Sequence, residues 1–365
     1  MNQLYYGDNL EVLQKHIGDE TVDLCYVDPP FNSNRNYNQI YNNVGNDDIA
    51  QSQAFVDTWS WNETAEFYLD RIHREQIYTR RMVDALDGFE KILGKGSMLS
   101  YLINMAVRVV EIHRVLKPTG SFYLHCDPTL SHYLKIVLDS VFCTHGGEFR
   151  NEIIWAYRGG GSPKQDFGRR HDTIFRYAKG KDLTFNADDV RIPYQAEGIG
   201  RKDDAMWGKH KGTNKAYKPH PLGKIPEDWW VIDILNANDP ERLGYPTQKP
   251  LALLERIIKA SSNEGDVVLD AFCGCGTTVD AAQSLNRKWI GIDITYNSVS
   301  LILKRLKDKF GEDVESQIIL SGIPKDMESA TALAHKKDDR CKCPRGIKIH
   351  NRNKVMPVNT ASPLR

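Results

Sequence analysis

The segment Val267-Val268-Leu269-Asp270-Ala271-Phe272-Cys273-Gly274-Cys275-Gly276-Thr277-Thr278 constrains the fold more than any other. It reads as a short apolar strand, a glycine loop and the start of a helix. Its glycines allow a tight turn and close approach of backbone to a ligand, and a helix N-terminus favours negative groups such as a carboxylate. Lys288-Trp289-Ile290-Gly291-Ile292-Asp293 reads as the next strand, ending in an acid 19 residues after Gly274. That is where a nucleoside-binding fold places a carboxylate for ribose hydroxyls. Val279 stands where a dinucleotide fold wants its third glycine, which weakens a nicotinamide reading. Cys273 and Cys275 have no nearby His or further Cys to complete a zinc site, so they are expected to be small fillers, and no metal is expected.

The rest of the chain alternates in the same way. Strands are expected at 4–6, 22–27, 121–125, 153–157, 173–177, 267–271 and 289–292. Helices are expected at 66–92 (bent or broken), 97–116, 129–142, 250–261, 277–285 and 295–306. Short apolar strands alternating with helices imply an α/β fold with a mostly parallel, twisted sheet covered on both faces. The chain has 365 residues, enough for more than one domain, and no apolar run reaches the ~18 residues of a membrane helix. Residues 1–10 have neither a basic start nor an apolar stretch, and seven irregularly spaced cysteines do not make a disulfide scaffold. A cytoplasmic protein without membrane contact is expected.

A second loop carries chemistry. Leu24-Cys25-Tyr26-Val27-Asp28-Pro29-Pro30-Phe31-Asn32 runs from a strand into an acid, two prolines and an aromatic. Proline has a fixed φ and no N–H, so carbonyls nearby stay free to accept from something else. A cluster of acceptors beside a flat ring suits a planar amine such as that of a nucleobase.

Charge is neutral overall, 48 basic against 48 acidic side chains, but it is unevenly spread. Net charge is −8 over 1–156, +7 over 157–225, −6 over 226–339 and +7 over 340–365. The basic middle block includes Gly159-Gly160-Gly161, Arg169-Arg170, Arg201-Lys202 and Lys209 to Lys218, and its weak periodicity beyond 180 suggests a loop-rich insert. Local rather than overall positive charge predicts DNA binding that is weak and salt-sensitive away from a target.

The two loops together resemble the S-adenosylmethionine-dependent DNA amino-methyltransferases, which methylate adenine N6 or cytosine N4. Asp28 to Phe31 matches the [Asp/Asn/Ser]-Pro-Pro-[Tyr/Phe/Trp] motif, and Phe272 to Gly276 matches the Phe-x-Gly-x-Gly loop. The order, with the catalytic motif first, the basic region between and the cofactor loop last, is similar to the beta group, over roughly residues 2–310. The resemblance implies a Rossmann-like methyltransferase fold with circularly permuted motif order. Its domains would be a catalytic half at 1–156, its end plus a target-recognition insert at 157–245, a cofactor half at 246–312 and an extension at 313–365. Residues 340–365, with no acid and little apolar periodicity, are expected to be disordered. It implies catalytic roles for Asp28, Pro29, Pro30 and Phe31. The cofactor would be held by Asp8, Thr247, Lys249, Asp270, Phe272, Gly274, Gly276, Thr277 and Asp293.

An acid at the first motif position goes mainly with adenine in this family and serine mainly with cytosine, so Asp28 favours adenine N6. Cytosine N4 methylation and a catalytically silent DNA-binding relative are the alternatives. Double-stranded DNA is the expected partner through 157–225, with 32–61 available to close over a flipped base. A separate restriction endonuclease is compatible with this reading, and monomer and homodimer both remain open. His113, His125 and His171 are expected to serve the fold or the solvent face.

Overall fold

A computed structural model describes residues 1–30, 59–159, 163–194, 220–245 and 247–323. All lie in the first of two compact units, Met1–Pro324. Phe31, the rest of the loop up to 58, the basic stretch 195–219, Pro246 and the tail 340–365 lie outside the described residues.

The elements in chain order are β1 (Asn2–Tyr6), α1 (Asn9–His16), β2 (Val22–Val27), α2 (Glu63–Arg74), α3 (Arg80–Leu93), α4 (Ser97–Val115), β3 (Leu116–Cys126), α5 (Ser131–Phe142), β4 (Glu148–Ala156), β5 (His171–Ala178), β6 (Trp229–Val231), α6 (Leu251–Ser261), β7 (Val267–Asp270), α7 (Thr277–Ser284), β8 (Lys288–Asp293), α8 (Tyr296–Phe310) and β9 (Ile318–Ser321). The strands form one sheet in the order β6-β4-β5-β3-β2-β7-β8-β1-β9. β5 runs antiparallel to both its neighbours, and the other adjacent pairs are parallel.

Period-two alternation sends successive strand residues to opposite faces. Cys25, Val27, Phe122, Leu124, Phe175 and Leu269 pack on one side with α1 and α3 to α5. Leu24, Tyr26, Tyr123, Ile174, Val268 and Trp289 pack on the other with α6 to α8. α4 is apolar nearly all round and correspondingly buried along its length. The sheet is therefore the covered, mostly parallel layer that the sequence implies.

The circular permutation is visible in the order. β7 and β8, late in the chain, continue outward into β1, the first strand, while β2 to β5 extend the other way. The crossing between β2 and β7 is the point where strand order reverses, which is where open α/β sheets bind ligands.

The break expected within 66–92 is present: α2 ends at Arg74, and Thr79 accepts from Met82 N and starts α3 afresh. Other expectations change. α1 was not expected as a helix: it spans eight residues, capped by Asp8 through Leu10 N and Glu11 N. β6 and β9 are too short for a sequence signal and exist through pairing with β4 and β1. β9 also carries the sheet past 312, so 313–323 belongs to the fold rather than to an extension. The basic block is not all insert, since β5 lies inside the sheet between β3 and β4.

Candidate active site

β2, β7, β8 and β1 are neighbours and parallel, so their carboxyl ends share one edge of the sheet. Asp28 follows β2 directly, Asp270 ends β7, Asp293 ends β8 and Asp8 follows β1 by two residues. Residues far apart in the chain thus meet around the switch point.

The glycine loop after β7 is tied down by its own backbone. Cys273 N donates to Ile292 O at 3.1 Å, and Gly276 N donates to Cys273 O at 2.8 Å. Gly274 N donates to Asp293 Oδ2 at 2.9 Å, which locks the loop to the end of β8. Gly274 and Gly276 have φ of +51° and +77°, and a Cβ on Gly276 would stand 2.7 Å from Ile302 Cγ1. Only glycine meets both demands at Gly276. Cys273 and Cys275 are buried and form no disulfide.

The carboxylates here are strained by burial. Burial pushes Asp270 up to about 7; hydrogen bonds from Thr278 and Phe272 N oppose this, while Asp28 and Asp293 reinforce it. Asp293 is raised by burial too, offset in part by Thr295 and Gly274 N. Its Oδ1 accepts from Thr295 N at 2.9 Å and from the Thr295 hydroxyl at 2.8 Å. Between about 4, where an unfolded Asp270 titrates, and about 7, the folded chain holds the extra proton. This group's contribution to folding stability is therefore expected to fall as pH rises through that window. Urea titrations from pH 4 to 7.5 should show Asp270→Asn with a flatter dependence than the parent, and an unchanged slope would contradict the assignment.

Asp28 is buried for the most part and ion-paired through Oδ2 with Lys249 Nζ. Lys249 comes from the segment before α6, which Gln248 stitches in place: Nε2 donates to Glu241 O at 2.7 Å and Oε1 accepts from Leu243 N at 2.8 Å. Tyr245 lies against Gly274. Lys249 is thus beside the acid–proline motif, a contact that spacing did not foretell, while Thr247 is exposed.

Two other expected cofactor residues have internal partners. Asp8 caps α1 with Oδ1 and takes Arg108 Nη2 on Oδ2 at 2.9 Å. Arg108 also holds Asn9, whose amide donates to Ala271 O at 2.8 Å. Thr277 is buried, and its hydroxyl accepts from Arg305 Nη1 at 3.2 Å. Phe272 packs against the core.

His125, expected to serve the fold or the solvent face, is fully buried and lies beside Asp28. It stands at the end of β3, with Nδ1 2.8 Å from Tyr26 OH and 4.0 Å from Asp28 Oδ1, and Nε2 3.1 Å from Asp172 Oδ2. The usable signal was its place at the end of a strand beside β2.

The basic block is thinner than its count. Arg176 is buried, and Arg158, Lys179, Arg191 and Lys224 pair with Asp233, Glu20, Asp188 and Glu227. Lys164, Arg169 and Lys181 are exposed, and Arg201 to Lys218 lie outside the described residues.

A permuted, mostly parallel sheet with a glycine loop on one side of its switch point and an acid–proline motif on the other defines a Rossmann-like methyltransferase fold. The sequence profile described as DNA methylase, for N6 and N4 methyltransferases, matches residues 22–304. The chain belongs to this N6/N4 DNA methylase family.

The Type II methyltransferase M.HpaI of Haemophilus parainfluenzae is 34% identical over 201 residues, covering 55% of this chain and 57% of its own length. The DNA adenine methyltransferase YhdJ of Escherichia coli is 28% identical over 305 residues, 83% of this chain and 82% of its own. Among solved structures, the cytosine-N4-specific PvuII DNA methyltransferase shares the fold at TM-score 0.50 and 17% identity, covering 88% of this chain and 95% of its own. Among the described residues no helix is long and apolar enough to cross a membrane.

Proposed function

We propose that the protein transfers a methyl group from S-adenosylmethionine to the N6 amine of an adenine flipped from duplex DNA. The observation that carries this reading is the meeting of Asp28 and Lys249 beside the Asp270 to Thr277 loop at the switch point.

The residues present fit the cofactor. Burial, reinforced by the charges of Asp28 and Asp293, raises Asp270 to about 7, and the acids gathered at these strand ends favour a cation beside them. Lys249 brings a positive side chain to Asp28 at that edge, suited to a carboxylate, and Gly274 and Gly276 add no side chains of their own to the loop. Asp270, Phe272, Gly274, Gly276 and Asp293 would line the cofactor, with Asp293 toward the ribose and Thr247 and Lys249 toward the methionine part. Asp8 and Thr277 would act more through the loop they brace than by direct contact. When bound, the cofactor supplies an electrophilic methyl group on a positively charged sulfur.

The chain's own part is to ready the amine. Its lone pair is delocalised into the ring, which makes it a poor nucleophile. Acceptance of its two hydrogens by the Asp28 carboxylate and the Pro29 carbonyl draws the nitrogen toward tetrahedral geometry and frees the lone pair. Pro30 holds the turn, and Phe31 stacks on the flipped base. Acceptors fixed in advance and alignment of the reactants supply the acceleration. The proton leaves after transfer, when the amine has become acidic, so Asp28 need not be a strong base.

DNA is engaged by exposed cations such as Lys164 and Arg169 together with the 201–218 stretch. Offering methyl-labelled cofactor with duplex DNA, RNA and protein as separate acceptors tests the substrate class. Label is expected in duplex DNA, and label confined to RNA or protein would overturn the reading.

A further inference from the structure

His125 has no task in the methyl-transfer scheme, yet it is fully buried against its acid. Strand register explains the gathering. β2 and β3 pair Tyr26 with Tyr123 and Val27 with Leu124, which brings His125 level with Asp28. β3 and β5 pair His125 with Ile174, and Asp172 lies two residues further along on the same face. Trp155 of β4, opposite Asp172, sets its indole edge-on to the imidazole with ring centroids 5.4 Å apart. Tyr26, Asp28, His125, Trp155 and Asp172 therefore project from one face, the face covered by α6 to α8, which Lys249 also approaches.

Chemistry sets the hydrogens. Burial works against ionisation of Asp172, but the bond and charge of His125, the charge of Lys249 and the bond from Tyr157 hold its carboxyl below the usual range. An ionised carboxylate only accepts, so Nε2 carries a hydrogen and donates to it. Burial, with Asp28, Asp270 and Asp172 nearby, pushes the Tyr26 hydroxyl well up, so it keeps its proton and holds Nδ1. The imidazole is clamped at both nitrogens. Asp28 thus stands in a slot, with Lys249 at Oδ2 and the imidazole edge at Oδ1.

Resting on the methyl-transfer reading, we propose that His125, locked by Asp172 and Tyr26, is the positioning residue for Asp28, fixing the plane of its carboxylate so that it meets the target amine in the reactive orientation. A clamped neighbour is what keeps a reacting group within a fraction of an ångström of its working place.

The test uses the full chain, duplex DNA and labelled cofactor, with His125→Ala, His125→Gln, Asp172→Asn and the double variant His125→Gln/Asp172→Asn. Binding of DNA and of the demethylated cofactor is measured separately, along with the thermal midpoint. His125→Ala is expected to lower kcat by up to about 100-fold, as for a small misplacement of a reacting group. Both binding constants should stay within about threefold, under half of one tenfold step in free energy. His125→Gln retains a donor that can reach Asp172 and should recover part of the rate. The double variant should be no slower than the slower single, because the two side chains act as a unit.

Full kcat in His125→Ala or Asp172→Asn, multiplied losses in the double variant, or losses of rate and binding that simply follow the thermal midpoint would each overturn the proposal. If His125→Ala does not fold, Asp172→Asn, at a partly exposed side chain, decides the matter by the same criteria. Transfer by the parent with unaffected variants defeats only the positioning role. No transfer by the parent defeats both this role and the methyl-transfer reading.

Discussion

Asp28→Ala is expected to lower kcat for methyl transfer by about 10²–10³-fold or more, the usual loss when one preorganised partner of the reacting group is removed. The side chain is positioned for this by two strands and a connecting segment: β2 delivers it, the segment before α6 brings Lys249 to Oδ2, and β3 brings His125 to within 4.0 Å of Oδ1. Binding of cofactor should persist. Asp28 is one of the charges that raise Asp270, and its removal ends its ion pair with Lys249 and eases ionisation of Asp270, both of which favour a zwitterionic ligand with an added sulfonium charge. Loss of rate with retained affinity is the pattern of an interaction used in the transition state rather than in binding. Equal losses in both would place Asp28 in the structural frame instead.

The second large effect is on folding. Asp280 is 2% exposed and takes Arg305 Nε at 2.7 Å and Lys309 Nζ at 2.6 Å. Arg305 is itself buried and reaches on to Thr277 and the Cys275 carbonyl, so this pair braces the glycine loop from behind. Asp280→Ala leaves a guanidinium in the core without its carboxylate, which costs about 3–5 kcal/mol. Arg305→Met is expected to cost less, because Lys309 still pairs with Asp280. Urea unfolding midpoints at constant slope measure both. Equal and small shifts for the two would mean that water reaches the pair.

Much of this was legible in the chain. Asp28, Asp270 and Asp293 each close a short apolar run, and in a parallel sheet run-closing residues share an edge. The glycines announced a loop whose φ values bear them out. What escaped depends on register between strands distant in sequence. His125 comes level with Asp28 through the β2–β3 register, and Asp172 joins them only because β5 turns antiparallel and pairs with β3; nothing local to either residue records those pairings. β6 and β9 likewise owe their existence to a neighbour. Asp8 was legible as an acid at a motif position, but its use as a helix cap and as a partner of Arg108 needed α1 and α4 in place. Counting charge along 157–225 overstated the cations free for DNA, since ion pairs such as Arg158–Asp233 and Lys224–Glu227 form only on folding.

The proposed reaction is methylation of the N6 amine of adenine in duplex DNA. Its most direct measurement is digestion to nucleosides of unmethylated plasmid incubated with the protein and S-adenosylmethionine, followed by mass spectrometry. N6-methyladenosine in its deoxy form, absent with Asp28→Ala, is the predicted result. N4-methylcytosine alone, or no methylated nucleoside at all, would contradict it.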